Sequence, residues 1–306
     1  MMGLNANAAE IVEEMKDRAE ELRIEVLELE NRATVLDCGV KAPGCTEAGR
    51  LFSLVSMGGL AKVTVSSESY GGLRLPVVKV DTGEPYLACM ASQKAAWKVK
   101  TDRFFALGSG PARVLAEKGK GGYTEDSDVA VLALESAALP DEKVARHVAE
   151  RCGVRPENLT LLAARTASET GSTQVSARMV ETALFKMERL GMEAEVVHGA
   201  GTAPIAPVTG DDIHMMGVEN DMIIYGSQVS LRVKGDVDVE AIPSGSSSDY
   251  GAPFLETFRR AGYDFYKIDP GIFAPAEIRV ENILSGEVKT AGKIDPEMIK
   301  KALESR

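Results

Sequence analysis

The chain has 306 residues, 44% of them hydrophobic and 26% charged, with 35 Lys plus Arg against 46 Asp plus Glu. These proportions belong to a folded protein with room for two domains and exclude a disordered or fibrous chain. The net charge of -11 argues against nucleic acid or an anionic membrane surface as partner and suits a cationic or small-molecule ligand.

In chain order, residues 6–22 place Ile11, Met15, Ala19 and Leu22 at helical spacing. IEVLEL at 24–29 and ATVLDC at 33–38 read as strands, with Asn31 and Arg32 at the intervening turn. TEAGRLFSLVSM at 46–57 reads as a helix with Thr46 as cap and Gly58-Gly59 as stop. Strands are expected at 61–66, 75–81 and 86–90, the last leading into a helix from Ser92. The segment KGKGGYTEDSD at 118–128 combines glycines with an acidic turn and has no apolar period, which marks it as a linker. VAVLAL at 129–134, a helix at 141–152, LTLLAA at 159–164 and a long helix at 171–190 then make a strand-helix-strand-helix unit. A hairpin around Ser285-Gly286 and a helix at 295–304, opened by Asp295 and Pro296, close the chain. The expected fold is mixed α/β in two domains, 1–122 and 123–306, with the C-terminal segment able to pack back on the first.

The N-terminus reaches acidic residues at once and lacks the apolar core of a signal peptide. No run approaches a membrane span, so the expected location is the cytoplasm. Cys38, Cys45, Cys89 and Cys152 show no CxxC spacing, and His147, His198 and His214 form no HxxxH or HxH unit. A protein-held metal is not expected. HGAGTAP at 198–204 lacks the third glycine of a dinucleotide fingerprint and carries Pro204. GxxxxGK[ST], GxSxG and HExxH are absent.

Four places remain for chemistry. Arg178 and Glu181 sit three apart on the expected helix 171–190, among small and apolar residues. A helical wheel groups them with Gln174 and Phe185, and leaves Lys186, Glu188 and Arg189 as solvated charges. The pair is either a structural ion pair or a general base with its orienting cation. Ser92-Gln93-Lys94 offers either a solvated lysine or a donor beside Trp97. LGSGPAR at 107–113, with Ser109 and Arg113, and PSGSSSDYGAP at 243–253 are small-residue loops suited to a tight turn or to an anion. Asp211 and Asp212 either cap the next helix or accept from a ligand.

Read together, NANA at 5–8, DCGV at 37–40, SQKAAW at 92–97, FALGSGPAR at 105–113, GSTQVSARMVE at 171–181, APIAPVTGDD at 203–212 and GVENDMIIYG at 217–226 form a collinear set. YGAPFLETFRRAGYDFYKIDPGIFAPA at 250–276 completes it. With that set the chain resembles the methenyltetrahydromethanopterin cyclohydrolase family along nearly its whole length. It departs from the family pattern at Ala96, where glycine is usual, and at Thr173, where valine is usual.

The resemblance implies reversible hydrolysis of a cyclic amidine to a formyl tetrahydropterin in archaeal one-carbon metabolism and methanogenesis. It implies two α/β domains with the pterin in a cleft between them and a homo-oligomer, expected to be a trimer. Neither a metal nor another cofactor is implied, because tetrahydromethanopterin is the substrate carrier. Neither nucleic acid nor membrane is an expected partner. The catalytic group implied is Glu181 as base, Arg178 as its orienter and Lys94 as a donor to the reacting oxygen or as a substrate ligand. The implied substrate-binding residues are Ser92, Gln93, Gln174, Ser109, Arg113, Asp211 and Asp212. A non-catalytic pterin-binding protein and a different tetrahydropterin one-carbon enzyme stand as alternatives.

Overall fold

Two runs without charges, VAVLAL and LTLLAA, are too apolar to lie on a sheet with one wet face, and both become central parallel strands. The computed structural model describes residues 3–117 and 123–304. It opens with helices α1 (Leu4–Asp17) and α2 (Ala19–Leu22), strands β1 (Glu25–Glu28) and β2 (Thr34–Gly39), and helix α3 (Thr46–Ser56). Strands β3 (Lys62–Tyr70) and β4 (Leu73–Thr82) follow, then a π-helical turn at Tyr86–Gln93 and strands β5 (Trp97–Lys100) and β6 (Phe105–Ser109). Helix α4 (Ala112–Ala116), strand β7 (Ala130–Glu135), helix α5 (Glu142–Cys152), strand β8 (Leu159–Ala164) and helix α6 (Glu169–Ser176) come next. The chain ends with α7 (Met179–Arg189), β9 (Glu195–Pro204), α8 (Asp212–Ile224), β10 (Gln228–Lys234), α9 (Phe254–Arg260), β11 (Glu277–Asn282), β12 (Val288–Gly292) and α10 (Pro296–Glu304).

The chain divides into two compact units, residues 1–61 with 87–174 and residues 62–86 with 175–306. The expected boundary at 122 therefore falls inside the first unit, because β7 and β8 pair with strands that precede it. The first part of the expected linker, 118–122, lies outside the described residues.

The first unit holds a six-stranded sheet in the order β1-β2-β8-β7-β6-β5. Its centre, β2, β8 and β7, is parallel, and its two flanks are antiparallel. One face carries a core of Val144, Ala145 and Val148 from α5 against Leu132, Leu134 and Leu161. The other packs Leu51, Phe52 and Val55 of α3 and Val12 and Met15 of α1 against Leu36, Val131 and Leu162. The second unit holds a six-stranded sheet in the order β12-β11-β10-β9-β4-β3, antiparallel except for the β10–β11 pair.

Three local expectations change. Residues 86–90 form the π-helical turn instead of a strand, and the helix expected from Ser92 is replaced by β5. Cys45, not Thr46, caps α3, its Sγ accepting from the Ala48 N–H at 3.3 Å. The single helix expected over 171–190 is two helices, α6 and α7, separated at Ala177-Arg178.

Candidate active site

Arg178 has φ -86° and ψ 1° and stands as the N-cap of α7, so the pair spans a helix start instead of riding on a continuous helix. Its Nη1 donates to Glu181 Oε2 at 2.8 Å, and the two side chains are only 12% and 11% exposed. A carboxylate in the first turn of a helix also faces the positive end of the helix dipole. Small residues let α7 come this close to its sheet. A Cβ on Gly201 would lie 2.7 Å from Met179 Cγ, and one on Gly199 would lie 2.9 Å from Val180 Cγ1. The glycines of HGAGTAP thus serve helix-on-strand packing. Ser176 adds a tether, its Oγ donating to the Pro204 carbonyl at 2.8 Å.

In the first unit, Lys94 follows directly on the π-helical turn, its N–H donating five residues back to the Cys89 carbonyl at 2.8 Å. Such turns recur at functional sites, because the widened backbone re-aims the residues that follow. Ser92 and Gln93 are buried within the turn, and Ser92 Oγ donates to the Ser56 carbonyl at 2.7 Å. The GSGPAR segment grips the same turn. Gly110, held at φ 108°, donates its N–H to the Ser92 carbonyl at 2.8 Å, and Arg113 Nη1 donates to the Ala91 and Ser92 carbonyls at 3.2 Å each. Arg113 Nη2 faces Glu117 at 3.4 Å, so this buried guanidinium acts first as a clamp on the turn that presents Lys94. Ser109 is buried at the end of β6. Trp97 lies in the core of the first unit, which removes it as a ligand platform beside Lys94.

In the second unit, Asp211 caps α8, its Oδ1 accepting from the His214 N–H at 2.9 Å. It lines a cavity of about 580 Å³ together with Thr209, His214, Arg259 and Tyr263. Asp212 is the first residue of that helix. Lys186, expected as a solvated charge, is instead buried, with Nζ donating to the Gly271 carbonyl at 2.7 Å and to Ser246 Oγ at 3.1 Å. Burial pushes its pKa down, against the pull of Asp269. Its position on the sheet-facing half of α7 overrides its polarity, and two acceptors compensate the charge.

Gln174 is buried in the first unit, where its Nε2 donates to Glu135 Oε2 at 3.3 Å. Glu135 also accepts from Thr166 Oγ1 at 2.8 Å. Sequence reasoning passed over Glu135 and Asp37, although each closes an apolar strand run with an acid. Asp37 is fully buried and its carboxylate accepts the N–H groups of Gly39, Val40, Lys41 and Ala42 at 2.7 to 3.1 Å. Asn5, in α1, is a further buried polar residue. Its amide bridges the Pro111 carbonyl at 3.1 Å and the Val131 N–H at 3.0 Å, fixing α1 against the loop that precedes α4.

A buried carboxylate paired with a guanidinium at a helix start has the geometry of either a structural ion pair or an acid–base group with its partner. The family model for Cyclohydrolase (MCH) matches residues 3–303. The chain is 49% identical to the methenyltetrahydromethanopterin cyclohydrolase of Methanocaldococcus jannaschii, with 99% of this chain and 98% of that one aligned. It is 47% identical to the enzyme of that name from Methanococcus maripaludis, with 99% of each chain aligned. Against the one from Methanosarcina barkeri it is 42% identical, over 98% of this chain and 97% of the other. The chain therefore belongs to the methenyltetrahydromethanopterin cyclohydrolase family, a family of hydrolytic enzymes.

Proposed function

We propose that the chain catalyses the reversible hydrolysis of 5,10-methenyltetrahydromethanopterin to the 5-formyl derivative, with Glu181 as general base. The observation that supports this reading is the buried Arg178–Glu181 pair in a member of this family. The methenyl carbon is already an electrophilic cation. Water needs only to lose a proton as its oxygen bonds to that carbon, and a positioned carboxylate suffices to take it. The tetrahedral intermediate then collapses with cleavage of the C–N10 bond. The proton taken up by Glu181 passes to N10, the hydroxyl proton leaves to solvent as the C=O bond forms, and the formyl group stays on N5, so one proton is released per turnover. Ionised Glu181 also offsets the substrate's positive charge where water is scarce, and Arg178 holds it in one orientation. Lys94 is assigned hydrogen bonding to the oxygen that water delivers. Substrate contacts are assigned to Ser92, Gln93, Gln174, Ser109, Asp211 and Asp212, with Arg113 supporting the turn that bears Lys94.

The test follows loss of the methenyl chromophore. Glu181→Gln keeps the shape and the hydrogen bond to Arg178 but cannot take the proton, and is expected to lower kcat by at least about a hundredfold. Full turnover by that variant would remove Glu181 from the base role. Tight pterin binding by the unaltered chain without ring opening would favour a non-catalytic binding protein. The same assay after chelation, with sedimentation of the active species, tests the proposed independence from metal and the proposed homotrimer.

A further inference from the structure

Strands β7 and β8 lie side by side and parallel, yet the chain leaves them on opposite faces of the sheet. After β7 it enters α5, whose Val144 and Val148 pack with Leu132 and Leu134. After β8 it enters α6, which packs on α3 over the other face: a Cβ on Gly49 would lie 2.5 Å from Thr173 Cβ. In open α/β sheets, the crevice outside the carboxyl ends of strands that diverge in this way is where ligands bind.

Glu135 is the last residue of β7 and stands at that crevice. Strand alternation puts it on the same face as Val131 and Ala133, the α3 side. Its carboxylate is held from both flanks of the divergence. Oε1 accepts from Thr166 just beyond β8 at 2.8 Å, and Oε2 accepts from Gln174 of α6 at 3.3 Å. Both donors are neutral, and among the described residues the carboxylate makes no ion pair. Each carboxylate oxygen has a second lone pair. The result is a partly buried, oriented pair of acceptors with lone pairs to spare.

We propose that Glu135 binds the amino-pyrimidinone edge of the pterin, accepting from its 2-amino group and its N3–H. Those two donors are parallel, and they match a carboxylate as the fork of an arginine does. The assignment rests on the pterin reading given above and adds the residue that selects the ring system. The edge it contacts lies across the bicycle from the methenyl bridge. Loss of the contact should therefore weaken ground state and transition state alike.

The experiment measures kcat and KM for the unaltered chain, Glu135→Gln, Glu135→Asp and Glu181→Gln, with the affinity of each for 6-methylpterin read by fluorescence. Melting curves confirm that each variant is folded. Glu135→Gln is expected to raise KM about tenfold or more with kcat within about threefold, and to weaken 6-methylpterin by a similar factor. Glu135→Asp, which keeps the charge, should fall between. Glu181→Gln should lose kcat while holding 6-methylpterin as the unaltered chain does. An active protein whose KM and pterin affinity are indifferent to Glu135→Gln overturns the assignment and leaves the catalytic reading intact. Glu135-dependent pterin binding without turnover does the reverse.

Discussion

The carboxyl groups of Asp221 and Asp269 shift in opposite directions on folding, and the difference is testable by pH. Asp221 of α8 is 1% exposed and accepts the Phe254 N–H at 2.8 Å. Burial raises its pKa well above the ordinary carboxylate range, with the Phe254 hydrogen bond opposing. A carboxyl group that holds its proton more tightly when folded costs stability as pH rises from the unfolded value near 4 toward the folded one. Asp221→Asn keeps the acceptor and removes the ionisation. Its melting temperature is therefore expected to exceed that of the unaltered chain at neutral pH and to converge with it near pH 4. Asp269 behaves in the other sense. The Ser247 hydroxyl first, then the Gly271 and Ser248 N–H groups and Lys186, hold its pKa down. Its stabilisation is present above the unfolded value and lost as pH falls through the folded one.

At the scale of elements, the break between α6 and α7 decides what Arg178 and Glu181 can do. Arg178 has left helical geometry, and the turn it makes sets the start of α7 on β9. The approach depends on Gly201, where an added side chain meets Met179 Cγ at 2.7 Å and the Gln228 carbonyl at 3.0 Å. Gly201→Val is expected to lower unfolding free energy by about 1–3 kcal/mol, as overpacked positions do, and to reduce kcat more than binding. Urea unfolding and the chromophore assay read the two effects separately. The π-helical turn is the counterpart in the first unit, holding Lys94 at its exit under the clamp of Arg113.

At the scale of the molecule, the two sheets are interleaved along the chain. Strands β3 and β4 belong to the second unit but lie in sequence between α3 and β5 of the first. A cut at 122–123 would take β7 and β8 from the first sheet's remaining strands, and β3 and β4 from the second's. Neither fragment, 1–122 or 123–306, is expected to unfold cooperatively when produced alone. Circular dichroism of the fragments during urea titration checks this, and two independent sigmoidal transitions would count against it.

The sequence by itself determined the elements that local rules govern. VAVLAL and LTLLAA read as strands because neither holds a charge and Thr160 is their one polar residue. The turn at Asn31-Arg32, the hairpin at Ser285-Gly286 and the last helix after Asp295 follow from residues that fit those backbones. The motif set also named the family and brought forward Arg178, Glu181 and Lys94. Tertiary structure alone decided which sheet each strand joined, since pairing partners lie as far apart in sequence as β2 and β8. It alone showed that Lys186 is buried, because a helical wheel does not say what packs on either side. It alone brought Glu135 to Thr166 and Gln174. Those three residues come from one strand end, one loop and one helix, and only the divergence of the chain at the carboxyl ends of β7 and β8 makes them neighbours.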